Sequence, residues 1–378
     1  MGLIGAGFAG AHHVDAVRRL GFVDVVAVAG SSQSSADQKA RQLGIPRAYG
    51  DYRSLLDDQA VQVVHNATPN HLHYAVTSAA LAHRKHVVSE KPLAMTAAEA
   101  DALLEQAERA GVVHAVTFNY RGNALVQQMR SAVVAGEIGA PHLVVGQYLQ
   151  DWLLEDTDYS WRLDPSLGGA SCAFADIGSH WCDLAEHVTG ARMTQVLGTM
   201  STVVRQRRVP SRSREAFATD HETSGKLVDV TTDDLASVLM RFDNGATGSL
   251  TVGQVCAGHK NDLSIEVCGA TASLAWRQER QNELWVGHRH TANERLARDP
   301  SLIDQNIRRY APLPGGHQEG WADAFHNVMR DIYTTISANH GMAERPPAFA
   351  SFADGCRAQH IVEAVLASAR ANGIWITL

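Results

Sequence analysis

The chain has 378 residues, enough for two domains, and 45% hydrophobic against 19% charged residues is an ordinary globular balance. A formal net charge of -7 argues against nucleic acid as a main partner, because phosphate binding needs a basic face. The five cysteines, Cys172, Cys182, Cys256, Cys268 and Cys356, form no CxxC pair, which points to reduced thiols and away from a disulfide framework or a zinc site. No apolar run is long enough to span a bilayer, and no basic start leads into an apolar core and cleavage site. The expectation is a cytoplasmic protein with no membrane partner.

Residues 2–4 read as the stub of a strand before a glycine loop, and so short a strand suggests that native residues precede Met1. Residues 11–20 read as a helix and 23–29 as a continuous apolar strand of the kind buried on both faces. A helix over 36–43, a short one from Ser54, a buried strand over 61–67, a helix over 74–82 and a strand over 86–89 follow. Thr96, with Glu99 three residues on, is a capping box for a helix that runs to about Ala110 and ends at Gly111. Residues 112–118 are the next strand. Strands alternating with helices predict a doubly wound parallel sheet, an α/β Rossmann domain over 1–118.

The pattern changes after Asn119. Longer alternating strands are expected at 142–150, 196–204, 236–242, 247–255, 263–268, 273–278 and 283–286, with Asp243-Asn244-Gly245 as a hairpin turn. Helices are expected at 124–135, 181–189, 321–339 and 352–371, and a solvated loop at 205–226. This predicts an α+β domain over 119–378 with a large, mainly antiparallel sheet whose exposed face needs covering, as in a dimer or tetramer. Its C-terminal helix is free to pack back on the first domain.

Gly5-Ala6-Gly7-Phe8-Ala9-Gly10 fits G-x-G-x-x-G. The first glycine permits a tight turn, the second lets backbone approach a pyrophosphate, and the third lets a helix sit close to its strand. Alone, the pattern is also that of a tight glycine turn. Between a strand and a helix it predicts a dinucleotide site. The second strand runs into Gly30-Ser31-Ser32 with neither an acid to grip a ribose diol nor an arginine to hold a 2′-phosphate, so NAD and NADP both stay open. An aspartate in place of Gly30 is expected to favour NAD.

Three segments carry the chemistry. Thr68-Pro69-Asn70-His71-Leu72-His73 follows a buried strand, whose C-terminal end faces the ligand crevice, and His73 is expected to line it. Glu90-Lys91-Pro92 follows the next strand on the same edge; Lys91 is either a solvated loop residue or a proton donor and carbonyl polariser. Asp176-Ile177-Gly178-Ser179-His180 places an acid and a histidine four apart, on one face of a helical turn. A histidine held by a carboxylate is a general base for neutral pH. The pairs His71-x-His73 and His288-x-His290 lack a clustered third ligand, so no metal is expected.

In this order GAGFAG, TPNHLH, EKPLAMT and ADIGSHWCD resemble the Gfo/Idh/MocA family, glucose-fructose oxidoreductase, inositol dehydrogenase and their relatives, across essentially the whole chain. The resemblance implies a catalytic trio on Lys91, Asp176 and His180. It implies cofactor contacts from Gly5, Gly7, Phe8, Ala9, Gly10, Ser31, Ser32, Thr68, Pro69, Asn70, His73, Glu90 and Lys91. Substrate contacts are expected from Asn119, Tyr120, Arg121, Trp161, Arg162 and His317 beside the trio. The implied activity is NAD(P)-dependent transfer of a hydride to or from a secondary alcohol of a sugar, glycoside or cyclitol, in a homodimer or homotetramer. A redox-assisted glycosidase and a non-catalytic sugar-sensing regulator are the alternatives.

Overall fold

A computed structural model describes residues 1–210, 225–338 and 347–378. The chain divides into two compact units: Met1–Asn119 with Ser166–Gly169 and Phe325–Gln359, and Tyr120–Pro165 with Ala170–Ala324 and His360–Leu378.

The first unit begins with β1 (Gly2–Ile4), α1 (Phe8–Arg18), β2 (Ala27–Ala29), α2 (Gln33–Leu43), β3 (Arg47–Tyr49), α3 (Tyr52–Asp57) and β4 (Val63–Asn66). Helix α4 (Asn70–Ala82), β5 (His86–Ser89), α5 (Ala97–Ala110) and β6 (His114–Val116) complete the alternation. All neighbours are parallel in the order β3-β2-β1-β4-β5-β6. The order reverses between β1 and β4, which puts the ligand crevice beyond the C-terminal ends of those strands. Strand β2 is shorter than the apolar run suggested because β1 offers ladder partners only from Gly2, opposite Ala27. Strand β3 was not foreseen: Arg47-Ala48-Tyr49 is half-buried and carries no apolar run to announce it. Helix α5 starts as expected, Thr96 Oγ1 accepting the Glu99 N–H, and stops at Gly111 in the left-handed region.

The second unit opens with α6 (Ala124–Val134) and β7 (Pro141–Leu149), then the short α7 (Pro165–Gly168) leads out of its first stretch. A wide π-helical turn over Phe174–Gly178 runs into α8 (Ser179–Thr189). The strands are β8 (Met193–Ser201), β9 (Gln206–Val209), β10 (Lys226–Asp229), β11 (Leu235–Phe242), β12 (Thr247–Gly253), β13 (Asp262–Gly269), β14 (Ala272–Arg277), β15 (Glu283–His288) and β16 (Glu294–Ala297). Helix α9 (Trp321–Ser337), which belongs to the first unit from Phe325 on, and α10 (Phe352–Arg370), which belongs to the second from His360 on, precede β17 (Ile376–Thr377). Nine strands form one sheet in the order β16-β15-β14-β13-β7-β12-β11-β8-β17. It is mainly antiparallel; β7 and β12 are its parallel pair. The hairpin at Asp243-Asn244-Gly245 joins β11 to β12, Gly245 at φ +85°. The loop expected at 205–226 has paired ends, β9 on β10, and its residues 211–224 lie outside the described residues.

Alternation sorts the faces. Ala236, Val238, Met240 and Phe242 point into the core while Ser237, Leu239 and Arg241 point out. Helix α8 lies on the core face, anchored by Trp181, which is fully buried and donates its indole N–H to Ser264 O at 2.8 Å. The indole passes over Gly146 of β7, where an added Cβ would lie 2.4 Å from Nε1 and 2.1 Å from Ser264 O. Gly146→Ala should therefore push the indole off its acceptor and lower unfolding stability by about 1–3 kcal/mol. A denaturant midpoint equal to wild type would show that the contact does not fix α8.

Candidate active site

In the first unit the glycine loop fits a dinucleotide. Gly5 sits at φ +90°, and a Cβ there would lie 2.4 Å from Ala67 O at the end of β4. A Cβ on Gly10 would lie 2.3 Å from Gly5 O, so α1 is drawn tight against the loop. Gly7 is different: a Cβ there would meet nothing within 4 Å, so this backbone faces open space. Gly7 caps α1 without a side chain, and no acid stands in the first turn. That is an uncrowded, uncharged helix N-terminus suited to a pyrophosphate.

The end of β2 departs from expectation. A Cβ on Gly30 would lie 2.9 Å from the Ala36 backbone nitrogen, so an aspartate there would displace the first turn of α2. Ser32 Oγ caps that helix by accepting the Ser35 N–H at 3.2 Å. Ser31 is exposed and is the residue of this pair whose side chain does not cap the helix.

The loops after β4 and β5 are tied together. His73 is buried, with Nδ1 2.6 Å from Pro92 O and Nε2 2.7 Å from Thr68 O. Burial lowers its pKa while the two carbonyls pull the other way. Its ring is thus occupied by backbone and supports the crevice loops, a different part from the lining role expected of it. Thr68 donates its hydroxyl to Asn66 Oδ1 at 2.7 Å, and Asn70 Nδ2 donates to Gly168 O at 2.9 Å. The Glu90 carboxylate also turns inward, accepting from Thr117 Oγ1 at 2.5 Å, with His13 Nε2 at 3.1 Å. Lys91 follows it, half-buried, with a cis bond to Pro92.

In the second unit the wide turn presents Asp176 and leads directly to His180. Its start is held by Asp233, whose carboxylate accepts the N–H groups of Cys172 at 2.9 Å and Phe174 at 2.8 Å. Asp176 receives Gln254 Nε2 at 2.9 Å on one oxygen and Arg162 Nε at 3.3 Å on the other. The Arg162 guanidinium also stacks over Trp161, 4.6 Å from its ring centre. His180 is buried, with the Tyr120 ring edge-on at 5.2 Å between centres. Tyr120 and Tyr148 share a 2.6 Å hydroxyl contact, and Tyr148 donates to Asn261 Oδ1 at 2.6 Å. Burial raises the Tyr120 pKa to about 12, so it stays a neutral donor.

Asp176, His180, Arg162, Trp161 and Tyr120 therefore belong to one local cluster. Two expected substrate residues do not join it. Arg121 forms a buried fork with Asp183, Nε to Oδ2 at 2.9 Å and Nη2 to Oδ1 at 2.5 Å, so its guanidinium has a structural partner. His317 is exposed in a loop gathered by Arg298, which donates to Leu313 O and Pro314 O and to the His317 carbonyl. Asn119 is buried. Tyr148, Gln254 and Asp233 were missed. Gln254 and Asp233 stand just past one strand and just before another, where periodicity says nothing, and Tyr148 reads as an ordinary inward residue of β7.

Gly7→Val should leave the fold intact, because the added atoms enter open space, yet fill the path of the pyrophosphate. Calorimetry should show loss of NAD binding with an unchanged unfolding midpoint. Retained affinity would remove the loop from the cofactor site.

Residues 1–118 match the oxidoreductase family with an NAD-binding Rossmann fold, and residues 126–275 match the GFO/IDH/MocA C-terminal domain. The chain is 34% identical to levoglucosan dehydrogenase of Pseudarthrobacter phenanthrenivorans over 76% of its own length and 75% of that protein. Its structure resembles levoglucosan dehydrogenase in complex with NADH and levoglucosan, with a TM-score of 0.86 and 28% identity over 100% of this chain and 98% of that one. It also resembles an oxidoreductase domain protein from Kribbella flavida, with a TM-score of 0.88 and 32% identity over 100% and 98%. The chain belongs to the GFO/IDH/MocA family of oxidoreductases with an NAD-binding Rossmann fold.

Proposed function

We propose that this NAD(P)-dependent dehydrogenase acts on a CH–OH group of a neutral sugar, anhydrosugar or cyclitol, with Lys91, Asp176 and His180 as its chemical groups. The observation that carries the neutral-substrate reading is the state of the arginines. Arg121 is forked by Asp183 and Arg162 turns its Nε to Asp176, so each guanidinium already faces a carboxylate that offsets the charge a phosphate would need. The half-buried Trp161–Arg162 stack instead supplies a planar aromatic wall, which suits a polyol ring.

A bound nicotinamide would supply the hydride acceptor or donor for the substrate carbon. In the oxidative direction His180 takes the proton of the substrate hydroxyl. Asp176 holds negative charge in the same cluster and favours the imidazolium that results. Lys91 hydrogen-bonds the reacting oxygen and offsets the charge developing on it. The Gly7 backbone at the start of α1 would hold the pyrophosphate, with Gly5 and Gly10 forming the tight turn that presents it. With Gly30 closed to a side chain and Ser32 capping α2, exposed Ser31 is a hydroxyl able to meet the ribose of either NAD or NADP.

A panel of neutral sugars, cyclitols and sugar phosphates, followed by nicotinamide absorbance with each cofactor, tests this reading. Turnover of neutral polyols is expected; preference for phosphorylated sugars would overturn it. Glycoside cleavage without net cofactor reduction would make the chain a redox-assisted glycosidase. Lys91→Ala and His180→Ala should each lower kcat on the order of a hundredfold with cofactor affinity kept. The double variant should lose less than the product of the two, because both groups act on one proton transfer. Unchanged kcat in either variant would remove that residue from the chemistry.

The open face of the nine-stranded sheet supports a homodimer or homotetramer. It exposes Leu143 and Leu239, and a concavity of about 340 Å³ lies on it, lined among others by Glu266, Arg277, Trp285 and Arg295. Light scattering at micromolar concentration should give a multiple of the 40.8 kDa chain. Leu239→Glu should shift it toward the monomer. A wild-type monomer would overturn the assignment.

A further inference from the structure

Four polar side chains that this mechanism does not use form a continuous chain inside the first unit. It starts at Glu90, whose carboxylate accepts from Thr117 Oγ1 and faces His13 Nε2 at 3.1 Å. His13 Nδ1 lies 2.7 Å from His65 Nδ1, and His65 Nε2 lies 3.0 Å from the Tyr333 hydroxyl. His13 and His65 are fully buried and Tyr333 is 3% exposed. The Phe325 ring closes edge-on over His13, 5.0 Å between centres.

The hydrogens of this chain can be placed from its ends. Burial alone would raise the Glu90 pKa, but the hydrogen bond and charge of His13, with Lys91 and Thr117, outweigh it and bring it down to about 2. Glu90 is then a carboxylate that only accepts, so His13 must donate from Nε2. Burial, with His13 beside it, holds the His65 pKa well below the ordinary histidine value, so His65 carries one ring hydrogen. With His13 neutral, His65 donates from Nδ1 to His13 and accepts from Tyr333. With His13 charged, His65 accepts at Nδ1 and donates from Nε2 to the Tyr333 oxygen. Both arrangements pair both ring nitrogens of each histidine, and both keep the His13 Nε2–H on Glu90.

The chain does not serve as an exit for the reaction's proton. It ends on the Tyr333 phenol, which is closed off from solvent and whose pKa burial pushes well above the usual value. Its effect is therefore static. Around Glu90 the Glu90 N–H donates to Asn66 O at 2.8 Å, and Ser89 Oγ donates to Glu90 O at 3.0 Å. Backbone and side chain are thus fixed at the residue that leads into Lys91. The titratable groups facing Glu90 are His12 and His13 from α1, His73 from α4 and Lys91 from its own loop. Those facing His65 are His13 and the Met1 amine, with Tyr333 of α9 at its other nitrogen.

We propose that His13 and His65 are positioning residues for Lys91: with Thr117 and Tyr333 they hold the Glu90 carboxylate in one rotamer, and the Lys91 loop takes its orientation from it. This rests on the reading of Lys91 as the group that meets the reacting oxygen. The pair is a hydrogen-bonded unit, so removing one member disturbs the rest.

The test compares His13→Ala, which removes the donor, with His13→Gln, which keeps an N–H for Glu90 but cannot take a charge. In folded full-length enzyme, His13→Ala should lower kcat by about ten- to a hundredfold, the scale of a small misplacement, with the KM for cofactor nearly unchanged. His13→Gln should recover most of that loss. In parallel, acetic anhydride labelling read by mass spectrometry should change the Lys91 rate by about threefold or more in His13→Ala, relative to exposed Lys226, and restore it in His13→Gln. If His13→Ala only lowers the unfolding midpoint while kcat, its pH profile and Lys91 labelling stay wild type, the pair is structural and the proposal falls. If the wild-type enzyme turns over no polyol, the dehydrogenase reading fails. The labelling arm then decides the positioning role by itself.

Discussion

A carboxylate buried in a protein interior must be given hydrogens, and most of the site geometry here follows from how five of them are supplied. Glu90 receives Thr117 and His13; Asp183 receives the Arg121 fork; Asp233 receives two backbone amides. Asp234 takes buried Arg207 and the amides of Val203 and Val204, while Asp262 takes Arg277, His259 and Gln147. Each donor set joins segments far apart in sequence. The Asp233 amides start the turn that carries Asp176. Arg207 also binds the carbonyls of Glu155 and Asp158, which steadies the approach to Trp161 and Arg162. Removing one partner of such a set strands a charge, typically at about 3–5 kcal/mol.

Each unit solves its own part of the problem. In the first, a parallel sheet reverses its order beside β1, and glycines let the backbone come close enough for the loops after β1 and β4 to touch. In the second, a broad sheet bears α8 on its core face and fixes it through one indole. The first unit offers amides and an ammonium, the second a carboxylate, an imidazole and aromatic surface. The proposed roles give the dinucleotide the first unit's amides and the polyol the second unit's side chains.

Much of this was legible in the sequence because hydrophobic period and end signals are local. The capping box at Thr96, the stop at Gly111 and the hairpin at Asp243-Asn244-Gly245 fall where the sequence puts them. The candidate residues stand out in the sequence by their type, and their partners do not. Arg121 looks like a ligand-binding arginine until Asp183, sixty-two residues on, is folded against it. His73 looks like a crevice residue until its two carbonyls appear. His13 and His65 gave no sign: one sits on the inner face of an ordinary helix, the other in the strand Val63-Val64-His65-Asn66. Their meaning is a distance between remote segments, which no local period encodes.

The wide turn at Phe174–Gly178 has a consequence for how the segment can change in evolution. A π-helical turn holds one residue more than an α-turn of the same hydrogen-bonded span. Each residue of an ordinary helix advances the side chains by about 100°. Loss of one residue from this turn would relax it to α-geometry and rotate Asp176 against His180 by that angle, while Trp181 kept α8 on its sheet. Substitutions within the turn are open to drift so long as length is kept; insertions and deletions are not. Related chains should therefore vary in spelling through this stretch and hold its residue count constant, even where neighbouring loops lengthen freely.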